Sequence, residues 1–385
     1  MFCEDIWMEI LSKLPVKSLL RFSCVSKYFQ SVICDPGFVK LHLQNSPKNI
    51  NSSFVFSSHI SSCSFFSVDH MPKPQRHKYH FHGSCNGLVC LRKRNDDGSN
   101  MFRLWNPATR KLFENKHCML NLPLEDQELI LLGFGYDNSR DTYKLVAIVS
   151  HLNSEEEYSF ISLICNIEDK SGWRDIQNFP VNPNATEGDG IYLKNTLNWV
   201  GLLDFDFEYV EDDGCDLTFN DVVIVSFDLE TETYTQLLLP RDISRVIIDD
   251  FFSLGEELHS NEAPLIGVLG DCLSLFLHNR TTDHLSIWQM KEFGNQNSWT
   301  HLLNISLEDL RIRRRLDSGL LPLYMVENDR DIIIIHSSLD NDLQAVIYNQ
   351  RDKTVKFRMI CDNIYWIYPF QYVESLVSLD KLELL

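Results

Sequence analysis

The sequence predicts a mainly β chain that opens with a small all-α module. Its β part is expected to be a β-propeller-like domain of five or six four-stranded blades. Three observations carry this expectation. Apolar residues recur at helical spacing between residues 5 and 43. From residue 53 onward that period gives way to short alternating runs bounded by turn residues. One strand register then repeats along the chain at nearly constant spacing. The boundaries follow: a helical module over 1–44, a polar linker over 45–52 and a β domain over 53–385.

In the helical module, Asp5 is placed to cap a first helix. Ile6, Trp7, Ile10, Leu11 and Leu14 form a wide apolar stripe on it. Pro15, which lacks an N–H and clashes with the preceding turn, ends it. Ser18 is a candidate cap for a second helix with Leu19, Leu20, Phe22 and Val25. A third segment carries Tyr28, Phe29, Val32 and Ile33 and stops at Asp35-Pro36-Gly37, and Phe38, Val39, Leu41 and Leu43 begin a fourth. A module of about 40 residues rarely hides so much apolar surface in its own core without metal, disulfide or partner. Another polypeptide, or the rest of the chain, has to cover the remainder.

The whole chain has 385 residues, 44% hydrophobic and 23% charged, with a formal net charge of −19. Such acidity disfavours nucleic acid, whose phosphates demand basic patches, and favours encounter with a basic partner. The 11 cysteines are scattered, odd in number and without a C-x-x-C. Cys90, Cys165 and Cys272 fall inside apolar runs, the usual setting of reduced thiols used as small core residues. A reducing compartment, cytoplasm or nucleus, is expected. The chain runs straight into its first helix with no signal peptide in view, and no apolar run approaches the ~20 residues that span a bilayer.

The β repeat is anchored on an apolar run that ends in an aromatic or cysteine and then a polar residue. It reads Trp105-Asn106, Cys165-Asn166, Phe227-Asp228, Trp288-Gln289 and Tyr348-Asn349, the polar positions lying 60, 62, 61 and 60 residues apart. Two strands are expected before each anchor strand and one after it, giving four per period. Further strand-like pieces at 53–57, 63–68 and 365–377 are candidates for a sixth unit that joins the two ends of the chain. Four-stranded units in series are the blades of a propeller, which closes radially and leaves few exposed edges.

Two resemblances overlay this reading. Glu4-Asp5-Ile6, the run from Glu9 through Phe22 and Cys24-Val25-Ser26-Lys27 resemble the F-box of plant F-box proteins. Phe2-Cys3 stands where the family usually opens with Leu-Pro, and Phe29 where its third helix usually has tryptophan. Gly83-Ser84-Cys85-Asn86-Gly87-Leu88-Val89-Cys90, Trp105-Asn106-Pro107-Ala108-Thr109-Arg110-Lys111, Gly133-Phe134-Gly135-Tyr136-Asp137 with Asp141, Tyr143 and Lys144, and Tyr372-Val373-Glu374-Ser375-Leu376 resemble the F-box-associated, kelch-like domain.

What the resemblance implies is a substrate receptor of a Skp–cullin–F-box ubiquitin ligase. The helices would dock on a Skp-type adaptor and, through it, a cullin–RING ligase, and the β domain would hold a protein target for ubiquitination and proteasomal degradation. Candidate adaptor-binding residues are Ile6, Ile10, Leu11, Leu14, Pro15, Leu19, Leu20 and Val25, some serving as core. A long acidic and aromatic insertion supplies candidate target contacts at Asp206, Glu208, Tyr209, Glu211, Asp212 and Asp213. An alternative from the same resemblance is an S-locus F-box determinant that recognises pistil ribonucleases; an alternative from a different class is a non-degradative ligand-binding propeller whose helical N-terminus is only structural.

Other clusters point less far. His70, His77, His80 and His82 lack a cysteine or carboxylate at ligand spacing and read as a solvated basic hairpin, with no metal. Arg311-Ile312-Arg313-Arg314-Arg315 follows a turn opening at Ser306 and reads as a solvated face beside Glu308 and Asp309. No nucleophile elbow, phosphate loop or dinucleotide fingerprint occurs, so neither catalysis nor a cofactor is expected.

Overall fold

A computed structural model describes residues 2–45, 53–57, 63–66, 80–122, 127–152, 158–183, 188–203, 219–243, 264–279, 282–312, 320–325, 331–337, 343–361, 368–379 and 383–384. The acidic insertion with Asp206, Glu208, Tyr209, Glu211, Asp212 and Asp213, the linker beyond Asn45, His70, His77 and Arg313-Arg314-Arg315 lie outside the described residues.

Four helices open the chain: α1 (Phe2–Ser12), α2 (Val16–Ser23), α3 (Lys27–Ile33) and α4 (Pro36–Asn45). Two expected caps are corrected. The first helix starts at Phe2, so Asp5 lies inside it, and the second starts at Val16 with Pro15 in the cap position, so Ser18 is helical. Proline suits a helix entrance because its missing N–H would have had no partner there. Ser26 caps α3 by accepting from Phe29 N at 3.2 Å, and Asp35 accepts from Phe38 N at 2.9 Å at the start of α4. The stretch Asp35-Pro36-Gly37 therefore begins the fourth helix as much as it ends the third.

Six antiparallel sheets follow among the described residues. Four have four strands each, beginning at Gln127–Asp137, Ile191–Leu193, Leu265–Leu269 and Leu320–Met325. A fifth holds His80–Cys85, Leu88–Arg94, Asn100–Asn106 and Lys111–Glu114, with Glu383–Leu384 added on its outer edge. The sixth joins Ser53–Ser57 and Cys63–Phe66 to Tyr368–Tyr372, so the expected union of N- and C-terminal strands is present. Repeated anchors have a repeated cause. Asn106, Asp228 and Asn349 each end a third strand and accept backbone N–H bonds from the following turn, at 3.0, 2.7 and 2.8 Å to Ala108, Glu230 and Asp352.

The chain divides into two compact units, the first comprising residues 1–121, 165–173 and 368–385, the second 122–164 and 174–367. In the second, apolar layers fill the space between successive sheets. Leu131, Val146, Ile148 and Ile164 meet Leu197, Trp199, Val223 and Val225 in one layer. Val200, Leu202, Val222 and Ile224 meet Leu273, Leu275 and Met290 in the next. The glycine of the Gly133-Phe134 motif is explained here, since a Cβ on Gly133 would stand 2.6 Å from Cζ2 of Trp199.

This unit also buries a charge cluster. Lys144, fully buried, donates to Asp137 Oδ2 at 2.8 Å, Glu232 Oε1 at 3.0 Å and Leu229 O at 2.6 Å. Arg140 and Arg174 close the cluster from outside. Burial alone would push the Asp137 carboxyl up, but hydrogen bonds from Lys144, Ser139 and Arg140 outweigh it and hold it well below the usual carboxylate range. Glu232 follows the same pattern, with burial opposed by Arg174 and Lys144.

In the first unit the segment from Tyr372 to Leu379 acts as a clasp. Asn106 Nδ2 donates to Ser375 O at 3.1 Å and Val377 O at 2.8 Å, Lys111 Nζ donates to Ser378 Oγ at 2.8 Å, and Tyr372 OH accepts from Ala108 N at 3.2 Å. Leu376 enters the helical core beside Leu11, Val16, Leu19, Ile33 and Phe38. Gly87, at φ +77°, leaves the room this segment needs, because a Cβ there would lie 2.2 Å from Ser375 Oγ.

Two outcomes are expected. Depressed carboxylates stabilise the fold above their unfolded values near pH 4, and that contribution is lost as pH falls through the lower folded values. The melting temperature should therefore hold from neutrality to about pH 5 and fall at lower pH, and Lys144→Met, which takes the buried ammonium from Asp137 and Glu232 and leaves them the half-exposed Arg140 and Arg174 as cationic partners, should cost about 3 kcal/mol in denaturant titrations at pH 7. Gly87→Ala should cost about 1–3 kcal/mol and raise amide exchange across residues 372–379; unchanged exchange there would refute the clasp.

Candidate protein-docking surface

The helices divide their apolar residues between two destinations. Leu11, Val16, Leu19, Ile33 and Phe38 form the core, with Met8, Leu14, Leu20, Phe29, Val32 and Val39 packed against it. His42 is buried and donates through Nε2 to Leu14 O at 2.8 Å, tying α4 to the turn between α1 and α2. Asn45 donates to Ser12 Oγ at 3.0 Å and fastens the same two helices at their ends.

The second destination is solvent. Ile6, Trp7 and Ile10 of α1, Phe22 of α2, Val25 just beyond it and Tyr28 of α3 are exposed, Val25 to 70% and Ile6 to 56%. Phe29 links the three helices. Its ring lies 6.1 Å from Trp7, 5.9 Å from Phe22 and 5.7 Å from Tyr28, in edge-on or tilted arrangements. The half-buried Phe29 thus supports a patch whose aromatic members are held by one another. Isolated exposed apolar side chains are ordinary, but three aromatic ones sharing one support make this face a candidate interaction site.

Lys13 pairs with Glu9 at 3.0 Å along α1, an exposed i,i+4 bridge of small energetic consequence. Each half-exposed apolar side chain would contribute on the order of 1 kcal/mol when covered by a partner. The surface can therefore bind an apolar surface.

Of the sequence-derived adaptor candidates, Ile6, Ile10, Pro15 and Val25 are exposed. Leu14 and Leu20 are half-buried against the core, and Leu11 and Leu19, at 2% and 0% exposure, lie inside it. Trp7, Phe22 and Tyr28 are exposed members that the candidate set omits. Their signal was present in the apolar stripe. The stripe is wider than the core it faces, and helical spacing does not say which edge is covered.

The other clusters take their own places. His80 and His82 lie on the strand His80–Cys85. Among the described residues no group of three or more His, Cys, Asp or Glu is placed to hold a metal ion. Ser306 and Asp309 bond each other at 2.8 Å in the turn that leads to Arg311. No helix among the described residues is long and apolar enough to cross a membrane.

Comparison with known proteins bears on the helices and the β domain alike. The chain matches the F-box domain over residues 1–41 and the F-box associated beta propeller domain over residues 38–379. An F-box/kelch-repeat protein of Arabidopsis thaliana is 27% identical over 376 residues, covering 89% of this chain and 93% of its own length. The F-box protein CPR1 of Arabidopsis thaliana is 24% identical over 331 residues, covering 78% and 72%. Among solved structures, TolB from Acinetobacter baumannii aligns over 87% of this chain and 70% of its own, with 7% identity and a TM-score of 0.46.

Proposed function

The chain belongs to the F-box proteins that carry an F-box associated β-propeller domain, and from that premise we propose that it is the substrate receptor of a Skp–cullin–F-box ubiquitin ligase. The observation that carries the reading is the uncovered apolar face of α1, α2 and α3, centred on Phe29. A Skp-type adaptor would cover Ile6, Trp7, Ile10, Phe22, Val25 and Tyr28. Leu11 and Leu19 would act from beneath, holding those helices in place.

The β domain would hold a protein target through loops that leave its sheets, with the acidic insertion around Asp206, Glu208, Tyr209, Glu211, Asp212 and Asp213 as the candidate contact. A net charge of −19 favours a basic target surface. The receptor contributes proximity: it raises the effective concentration of a target lysine near the ubiquitin carried elsewhere in the ligase. It supplies no covalent chemistry and needs no cofactor. Degradation in the cytoplasm or nucleus follows from the ligase it joins.

Positions for the test follow from exposure. Leu14 and Leu20 are half-buried against the helical core, so aspartate there would disturb folding and docking together. Ile10→Asp combined with Val25→Asp alters the surface alone. Affinity for a recombinant Skp-type adaptor should fall at least 100-fold, about 3 kcal/mol, with the circular dichroism and melting curve unchanged. Wild-type chain that shows no affinity for any such adaptor would overturn the proposal. Target half-life with and without the wild-type chain then tests the degradative step.

A further inference from the structure

We propose that Cys118 and Cys165 form a peroxide-oxidisable dithiol, a modification site separate from the docking surface. Their sulfurs lie 2.9 Å apart, both side chains are buried, and both are free thiols within the first compact unit. A disulfide needs about 2.05 Å, so bonding requires an approach of under about 1 Å.

The surroundings hold the two sulfurs in opposition. Cys118 ends the one-turn helix Lys116–Cys118, and Cys165 sits near the end of the strand Tyr158–Asn166. Asn115, just before that turn, donates through Nδ2 to Ile167 O and Asp169 O, both at 2.7 Å. Trp173 Nε1 donates to Cys118 O at 2.9 Å, and its ring packs 5.5 Å from that of Phe102. The two backbone segments are thus stapled on either side of the sulfurs. Little rearrangement separates the dithiol from a cross-link.

Access comes through the turn itself. Lys116, His117 and Met119 are exposed around the buried Cys118, so a local opening of one turn admits an oxidant the size of hydrogen peroxide. The roles differ between the two thiols. The hydrogen bond to Cys118, together with burial, pushes the Cys165 thiol far up, so it stays protonated and donates to its neighbour. Cys118 is the sulfur that attacks. On losing its proton it bonds to one peroxide oxygen; the O–O bond breaks, and the departing hydroxide takes a proton and leaves as water. Cys165 then attacks the Cys118 sulfur, the S–O bond breaks, and that hydroxyl departs with the Cys165 proton as a second water. Two thiols are oxidised by two electrons and one peroxide is reduced to two waters. Disulfides of this transient kind are the ones an otherwise reducing compartment tolerates.

The test uses the full chain, reduced, desalted, exposed to hydrogen peroxide, blocked with N-ethylmaleimide and digested for peptide mapping. The exposed Cys24 and Cys34 serve as internal controls that the oxidant acted. The expected result is a Cys118–Cys165 linked peptide, two hydrogens lighter than the paired thiols, in most of the protein. Dithiothreitol should reverse it, and the oxidised form should melt several degrees higher, as closure of a loop of this length implies. In Cys165→Ser, Cys118 should accumulate as a sulfenic acid captured by dimedone. Recovery of both peptides as unlinked thiols, or joined to other cysteines, after Cys24 and Cys34 have been oxidised would overturn the proposal. The wild-type map decides this alone if the variant fails to fold.

Discussion

Leu376, from the far end of the chain, completes the hydrophobic core of the four N-terminal helices. The rest of the first unit depends on that insertion. Roughly 40 residues cannot enclose a stable core unaided, and this module is finished by a residue more than 300 positions away in sequence. The returning segment is fixed by Asn106 and Lys111 of the sheet that begins with His80–Cys85 and by Ala108 in the turn between them, so the helices are joined to that sheet through side chains as well as through the chain itself. Leu376 joins the covered side of the module, while the exposed Trp7, Phe22 and Tyr28 gather around Phe29.

That division resolves what the apolar excess means. A helical cap on a β domain would have turned all of its greasy surface inward. Here the inward and outward sets are distinct: Leu11 and Leu19 are sealed, whereas Ile6, Ile10 and Val25 face water on the same helices. The exposed Trp7, Phe22 and Tyr28 are each held against Phe29, and side chains already held in place cost less to order if a partner covers them.

Elsewhere the fold relies on polar groups that are buried and satisfied. Lys144 is enclosed with Asp137 and Glu232 and also bonds a backbone carbonyl, which is the arrangement a desolvated ammonium requires. Asn106 satisfies its own turn with one side of its amide and the clasp with the other. These residues belong to the motifs that carried the family resemblance. In this fold they satisfy turns and bonds between sheets.

The amino-acid order alone determined the helical module, the series of four-stranded units and the pairing of the two chain ends. Each is written in periodicity or spacing, and both are local or repeated signals. It also set the polar anchors Asn106, Asp228 and Asn349, because each following turn needs an amide or carboxylate oxygen to accept its N–H groups. Tertiary structure decided the rest. It added Glu383–Leu384 to the first sheet, placed Lys144 among acids, and opposed Cys118 to Cys165. It also chose which edge of a wide apolar stripe would stay bare. Helical spacing says that Ile10 and Leu11 are both apolar, but only the packing of the four helices and of a distant leucine around Leu11 settles which of them meets water.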